Sequence, residues 1–96
     1  MAKYILLVNW TDQGVRNAKE SPKRLDAARK MAETAGAKMG DFYMTMGGYD
    51  MVAHLEAPDD ATVAKFVLNL AGAGNVRTQT LKAFSEDEYR KILGGL

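Results

Sequence analysis

The sequence predicts a single α+β domain over residues 1–96. Its type is ferredoxin-like: a βαββαβ antiparallel sheet with helices on one face and a short C-terminal helix, paired with a second copy as a dimeric α+β barrel. Three observations predict it. Four strand-like apolar runs alternate with two helical stripes in the order strand, helix, strand, strand, helix, strand. A glycine pair, Gly47-Gly48, joins the two middle strands. The first strand is apolar on both of its faces, although helices cover only one face of such a sheet.

In the first run, residues 3–10, Tyr4, Leu6, Val8 and Trp10 alternate with Ile5 and Leu7, which predicts a strand covered on both sides. Thr11-Asp12-Gln13-Gly14 then breaks the pattern as a loop. Ser21-Pro22 supplies an N-cap followed by proline at the first helical position, opening a helix from about 22 to 35. Its stripe of Leu25, Ala28, Met31, Ala32 and Ala35 is small enough for close approach to a sheet, and Gly36 ends it. Asp26 with Lys30 and Arg29 with Glu33 have the spacing of surface ion pairs on this helix.

Residues 37–46 form the next expected strand, with Phe42, Met44 and Met46 alternating against Tyr43 and Thr45. Gly47-Gly48 suits a two-residue hairpin loop, because the primed turns need a positive φ that glycine adopts cheaply. The third strand, 49–57, sets Met51, Ala53 and Leu55 against Asp50, Val52, His54 and Glu56, and places Tyr49 in the helix-covered core. After Pro58, Asp59 or Asp60 caps a helix whose stripe is Val63, Phe66, Val67, Leu70 and Ala71. Residues 75–84 are the last strand. Ser85 and Glu88 have capping-box spacing, and the helix that follows carries Tyr89, Ile92, Leu93 and Leu96 on one side.

Composition narrows the function classes. An apolar fraction of 47% with 26% charged residues is that of a folded globular chain. A net charge of +1 gives no electrostatic case for a nucleic-acid partner, although residues 1–38 carry +4 and the remainder −3. The absence of cysteine excludes a disulfide framework, a thiolate metal site and a thiol nucleophile, and fits a cytoplasmic location. The N-terminal apolar run is too short for a signal peptide or a membrane span, so no membrane partner is expected. Neither glycine-rich turn is followed by Lys-Ser or Lys-Thr opening a helix, and no nucleophile elbow or zinc-protease helix is present. One histidine among scattered carboxylates makes a poor metal site, so neither metal nor cofactor is expected.

Five segments carry a resemblance to a known family: Gln13-Gly14-Val15-Arg16-Asn17, Ser21-Pro22-Lys23-Arg24, Phe42-Tyr43-Met44-Thr45-Met46-Gly47-Gly48-Tyr49-Asp50, Glu56-Ala57-Pro58-Asp59-Asp60 and Gly74-Asn75-Val76-Arg77-Thr78-Gln79-Thr80-Leu81. On these the chain resembles the GYD domain proteins along nearly its whole length. The resemblance implies a dimeric α+β barrel. Similar barrels host cofactor-independent monooxygenases, haem-degrading enzymes, isomerases and effector-binding domains, so architecture leaves the activity open.

The candidate site residues are Asn9, Trp10, Tyr43, Thr45, Asp50, His54 and Arg77. Strand parity puts Asp50 and His54 on one face, with Tyr43 and Thr45 across the hairpin, which would make a polar patch in an apolar surround. His54, Asp50 and Tyr43 are the catalytic candidates, because imidazole and carboxylate serve as general bases. Each also has a structural role open to it: His54 bonded within the sheet, Asp50 closing the turn, Trp10 as plain core. Arg77 suits a carboxylate, a phosphate or an inter-subunit ion pair. Met44, Met46 and Met51 could line an adaptable pocket. The function expected is binding of a small, partly apolar ligand in a cavity between sheet and helices of a homodimer or larger homo-oligomer. A monooxygenase- or isomerase-like enzyme and a ligand-free assembly module are the alternatives.

Overall fold

Strand β1 (Ala2–Trp10) lies between two antiparallel partners, β3 (Met51–Ala57) and β4 (Val76–Ala83), and β2 (Lys38–Met44) completes the sheet in the order β2-β3-β1-β4. The computed structural model describes residues 1–96. Register decides which side chains face the helices: Tyr4 pairs with Leu55, Leu6 with Ala53 and Val8 with Met51, and all six are buried. Helices α2 (Ser21–Thr34) and α3 (Asp60–Gly72) cover this face with Ala28, Ala32, Val63 and Phe66. Phe66, Leu6 and Leu55 are the largest fully buried side chains, each worth about 1.5–3 kcal/mol relative to exposure.

Local sequence explains the helix ends, with corrections. Asp59 caps α3 by accepting from the Thr62 amide, and Ser85 with Glu88 forms the expected capping box at the start of α4 (Glu86–Gly94). Ser21, however, does not cap α2. A 3₁₀ turn over Ala18–Glu20 runs directly into the helix, so Glu20 takes the cap position and Ser21 becomes the first helical residue. The ion pairs expected within α2 do not form. Arg29 instead donates to the carbonyls of Met39 (3.3 Å) and Gly40 (3.1 Å), where a bulge shifts the β2 register between Met39 and Phe42.

The segment expected as a loop after β1 is a helix, α1 (Asp12–Arg16), capped by Thr11. Five residues with a central glycine carry no periodicity, and the helix exists because its surroundings bond it. The Thr11 amide and hydroxyl donate to the carbonyls of Asn75 (3.0 Å) and Gly74 (2.6 Å), and the Gln13 amide group donates to the Asn75 side chain at 3.0 Å. Arg24 closes the assembly from α2 by donating to the carbonyls of Asn17 and Gly14. Gly14 is required here: a Cβ at this position would stand 1.9 Å from the Asn75 carbonyl oxygen.

The β2–β3 connection also departs from expectation. It is not a two-residue hairpin turn but a six-residue link over residues 45–50, and only Gly47 in it has a positive φ, 114°. Asp50 sets this geometry. Its amide donates to the Val8 carbonyl and the Asn9 side chain, both at 3.0 Å, while its carboxylate accepts the Trp10 amide at 3.0 Å. Asp50 therefore extends the β1–β3 ladder by one side-chain bond instead of sharing a face with His54. Tyr49 is not in the helix-covered core either; its hydroxyl donates to Gln79 on the opposite face at 2.6 Å.

Half of the sheet remains bare. Ile5, Leu7, Val52 and Leu81 form an apolar band on the face without helices, and no side chain of α4 is buried. The accessible surface of 6517 Å² exceeds by about 1,100 Å² the roughly 5,400 Å² normal for a folded chain of this mass.

Two outcomes follow from these contacts. Gly14→Ala should lower stability by at least about 2 kcal/mol in urea unfolding, because the obstructing atom is backbone, whereas Gly48→Ala, with open space around it, should be close to neutral. Asp50→Ala should cost about 1–3 kcal/mol by orphaning the Trp10 amide, and Asp50→Asn, which keeps the acceptor, should recover most of it. Equal stability of Asp50→Ala and the parent would show that the clamp contributes nothing.

Candidate functional site

Four of the five family-like segments meet at one end of the sheet, where β1 ends, β4 begins and the residue 45–50 link turns back. The end is built around Trp10. Strand parity carries its ring to the helix side, where it packs against the core edge. Between the ring and the start of α2 lies a cleft of about 340 Å³, with Trp10, Phe42, Met44 and Met51 on the sheet side and Ala18, Ser21, Pro22 and Leu25 opposite. A smaller void of about 60 Å³ continues inward from the same ring.

The cleft is apolar with two polar features. The Trp10 indole Nε1–H is fully buried and has no acceptor. An unmet donor of this kind costs on the order of 1–3 kcal/mol, so an oxygen delivered to it is rewarded by that much. Ser21, at the first helical position and free of a capping bond, offers a hydroxyl on the facing wall.

The expected site residues separate into three places. Trp10 is in the cleft. Asn9, Thr45 and Asp50 form the strand-end clamp: Asn9 accepts from the Asp50 amide, and the Thr45 hydroxyl donates to the Tyr49 carbonyl at 2.6 Å. Tyr43 and His54 lie on the bare face, their rings edge to face at 6.5 Å. Arg77 is on that face too, at the far edge strand, and makes no ion pair. The anticipated convergence of Tyr43, Thr45, Asp50 and His54 does not occur, because the Asp50 carboxylate is drawn into the ladder and Thr45 into the link.

His54 is half exposed. Its one carboxylate within ion-pair range is that of Asp41, 4.0 Å from Nδ1. That spacing is too long for a hydrogen bond that would orient an imidazole for proton transfer. A shallow groove of about 380 Å³ beside it includes Lys3, Lys38, Asp41 and Glu56. Across it, Lys3 donates to Glu56 at 3.0 Å and holds that carboxyl below its ordinary pKa. On the helix side, Asp60 accepts from the Tyr4 hydroxyl and from Lys82, which lowers its own pKa, and the Asp60 bond pushes Tyr4 up to about 12. This cluster ties the start of α3 to β1 and β4. No three His, Asp or Glu side chains converge in a way that would hold a metal, and no helix is long and apolar enough to cross a membrane.

Sequence reasoning missed the α2 side of the cleft, Ser21, Pro22 and Leu25. The signal is present in the Ser21-Pro22 start, which in sequence reads as capping alone. Of the methionines expected at a pocket, Met44 and Met51 line the cleft and Met46 is in solvent.

Comparison with known proteins places this geometry in a family. The GYD domain profile matches residues 4–93. A relative from Thermus thermophilus, named glutamine synthetase and cystathionine beta-lyase binding protein, is 36% identical over 84 residues, 86% of this chain and 88% of the relative. A crystal structure of a protein from the same organism aligns with a TM-score of 0.57 at 22% identity, over 88% of this chain and 95% of that one. The feast or famine regulatory protein of M. tuberculosis, solved with L-methionine, aligns with a TM-score of 0.64 at 16% identity over 91% of this chain. The chain spans only 54% of that regulator's length. At these identities the two structures speak to the fold, which they share. With the profile covering almost every residue and a relative matched over most of both chains, the chain belongs to the GYD domain family.

Proposed function

We propose that this protein is a self-associating binder of a small molecule, and that the ligand occupies the Trp10 cleft. The observation that carries this is an apolar cleft, large enough for a small metabolite, built against the Trp10 ring, whose buried Nε1–H has no partner in the chain. The chemistry specifies the ligand class: an apolar body to fill the space beside Phe42, Met44 and Leu25, and a carbonyl or carboxylate oxygen to meet the indole. Two further facts support it. Four segments of the family resemblance converge on this end, and the excess of accessible surface suits a chain that pairs. Trp10 is the sole tryptophan, so it reports its own occupancy. In a screen of apolar carboxylic and keto acids, a true ligand should shift Trp10 emission and, at about 100 times its Kd, stabilise the fold by about 2.7 kcal/mol. Trp10→Phe, followed by calorimetry, should weaken that ligand at least about tenfold. Undiminished binding by Trp10→Phe, or a screen in which nothing stabilises the protein, sinks the proposal.

A second function is favoured by the named relative: docking on metabolic enzymes. That relative binds glutamine synthetase and cystathionine beta-lyase by its name, and it matches this chain over most of both lengths. The bare sheet face and the exposed helix α4 are surfaces on which an enzyme could seat. Mixing the protein with purified glutamine synthetase and with cystathionine beta-lyase should yield a co-eluting complex of increased mass in light scattering. Separate elution of every component at micromolar concentration counts against docking on these enzymes.

A further inference from the structure

We infer that α4 is a clasping arm, and that its apolar stripe packs on the bare sheet face of a second copy of this chain. The inference rests on the self-association proposed above and names the element that would produce it. Tyr89, Ile92 and Leu93 recur at helical spacing on one side of α4, with Leu96 just beyond its end, and the four are 55%, 50%, 45% and 98% exposed. Phe84, just before the helix, is also exposed. The polar side carries Glu86 bonded to Arg90 at 2.8 Å and Lys91. A nine-residue helix is too short to hold together in water on its own propensity, and helices of this length persist by packing an apolar face. Its own chain buries none of these side chains, and the whole molecule is 48 Å long but only 17 Å thick.

The bare sheet face is the matching surface. Ile5, Leu7, Val52 and Leu81 give it an apolar centre. Lys38 and Arg77, toward its two edges, form no ion pair within the chain. Asp87, in the first turn of α4, is likewise unpaired, so the arm brings a negative charge to a face with unmet positive ones. Area favours a second copy as the occupant. The surface excess of about 1,100 Å² per chain meets the roughly 800 Å² per partner of a standard interface. Under two-fold symmetry each copy gives its arm and receives one, so both stripes and both faces are covered and the assembly closes.

The test uses the full chain, and its lack of cysteine makes introduced thiols unique. By light scattering the parent should have twice the 10.5 kDa chain mass. Ile92→Asp with Leu93→Asp, at positions about half exposed in the single chain, should keep the parent's near-ultraviolet spectrum and raise the dimer dissociation constant at least about a hundredfold. A chain carrying both Leu81→Cys and Leu93→Cys should oxidise to a covalent dimer on a non-reducing gel. A monomeric parent overturns the arm and self-association together. A dimeric parent whose double aspartate variant dimerises equally well overturns the arm alone and leaves α4 to a different protein. An intramolecular disulfide, or none, shows that the arm does not reach a partner's sheet and also overturns it.

Discussion

β1 carries apolar side chains on both of its faces and occupies an inner position in the sheet, and the remaining architecture answers to that. Tyr4, Leu6 and Val8 require a roof, which α2 and α3 provide through Ala28, Ala32, Val63 and Phe66. Small residues on α2 let the helix sit close. Ile5 and Leu7 lie on the other face, which α2 and α3 do not cover. The hydrophobic effect acts on area irrespective of which face presents it. That uncovered side of the central strand is the observation on which the proposed self-association rests.

The segments that mark this family are in large part a mechanical assembly. Gly14 comes up against the Asn75 backbone, Thr11 bonds Gly74 and Asn75, Arg24 spans from α2 to the α1 carbonyls, and Asp50 stitches the residue 45–50 link to β1. The first is a close steric approach and the others are polar bonds, those of Thr11 and Asp50 between segments at least 40 residues apart in sequence, and all converge near the end of β1. Their combined effect is to fix the backbone on either side of Trp10. A rigid frame around one unmet hydrogen-bond donor suits the binding proposed above, since the cost of ordering such a site is met during folding and not at binding.

Electrostatics on the bare face are consistent with a surface that is covered part of the time. Lys3 and Glu56 face each other across β1 and β3 and neutralise one another at the sheet end distant from Trp10. Exposed pairs of this kind contribute little to stability, a fraction of a kcal/mol. They matter more for what can approach, because a neutralised pair at the rim of an apolar band admits an apolar neighbour without stranding a charge. Lys38 and Arg77 form no ion pair within the chain.

Sequence alone determined the element order, the sheet topology that follows from it, the caps at Asp59 and at Ser85 with Glu88, and the apolar stripe of α4. These depend on periodicity and on short-range side-chain to backbone bonds, both of which are written within a few consecutive residues. It also pointed to Trp10 and the methionines, and Trp10 with Met44 and Met51 does line the cleft. It did not reveal α1, the six-residue link or the positions of Tyr49 and Asp50. Gly47-Gly48 permits a tight turn, yet three hydrogen bonds from Asp50 to β1, roughly forty residues away in the chain, outweigh that local preference. The separation of Tyr43 and His54 from Trp10 follows from parity, since Trp10 is in phase with Tyr4, Leu6 and Val8 while Tyr43 and His54 face the other way; only the bonded tertiary structure decides where a strand stops and parity ceases to apply, as at Thr45 and Asp50.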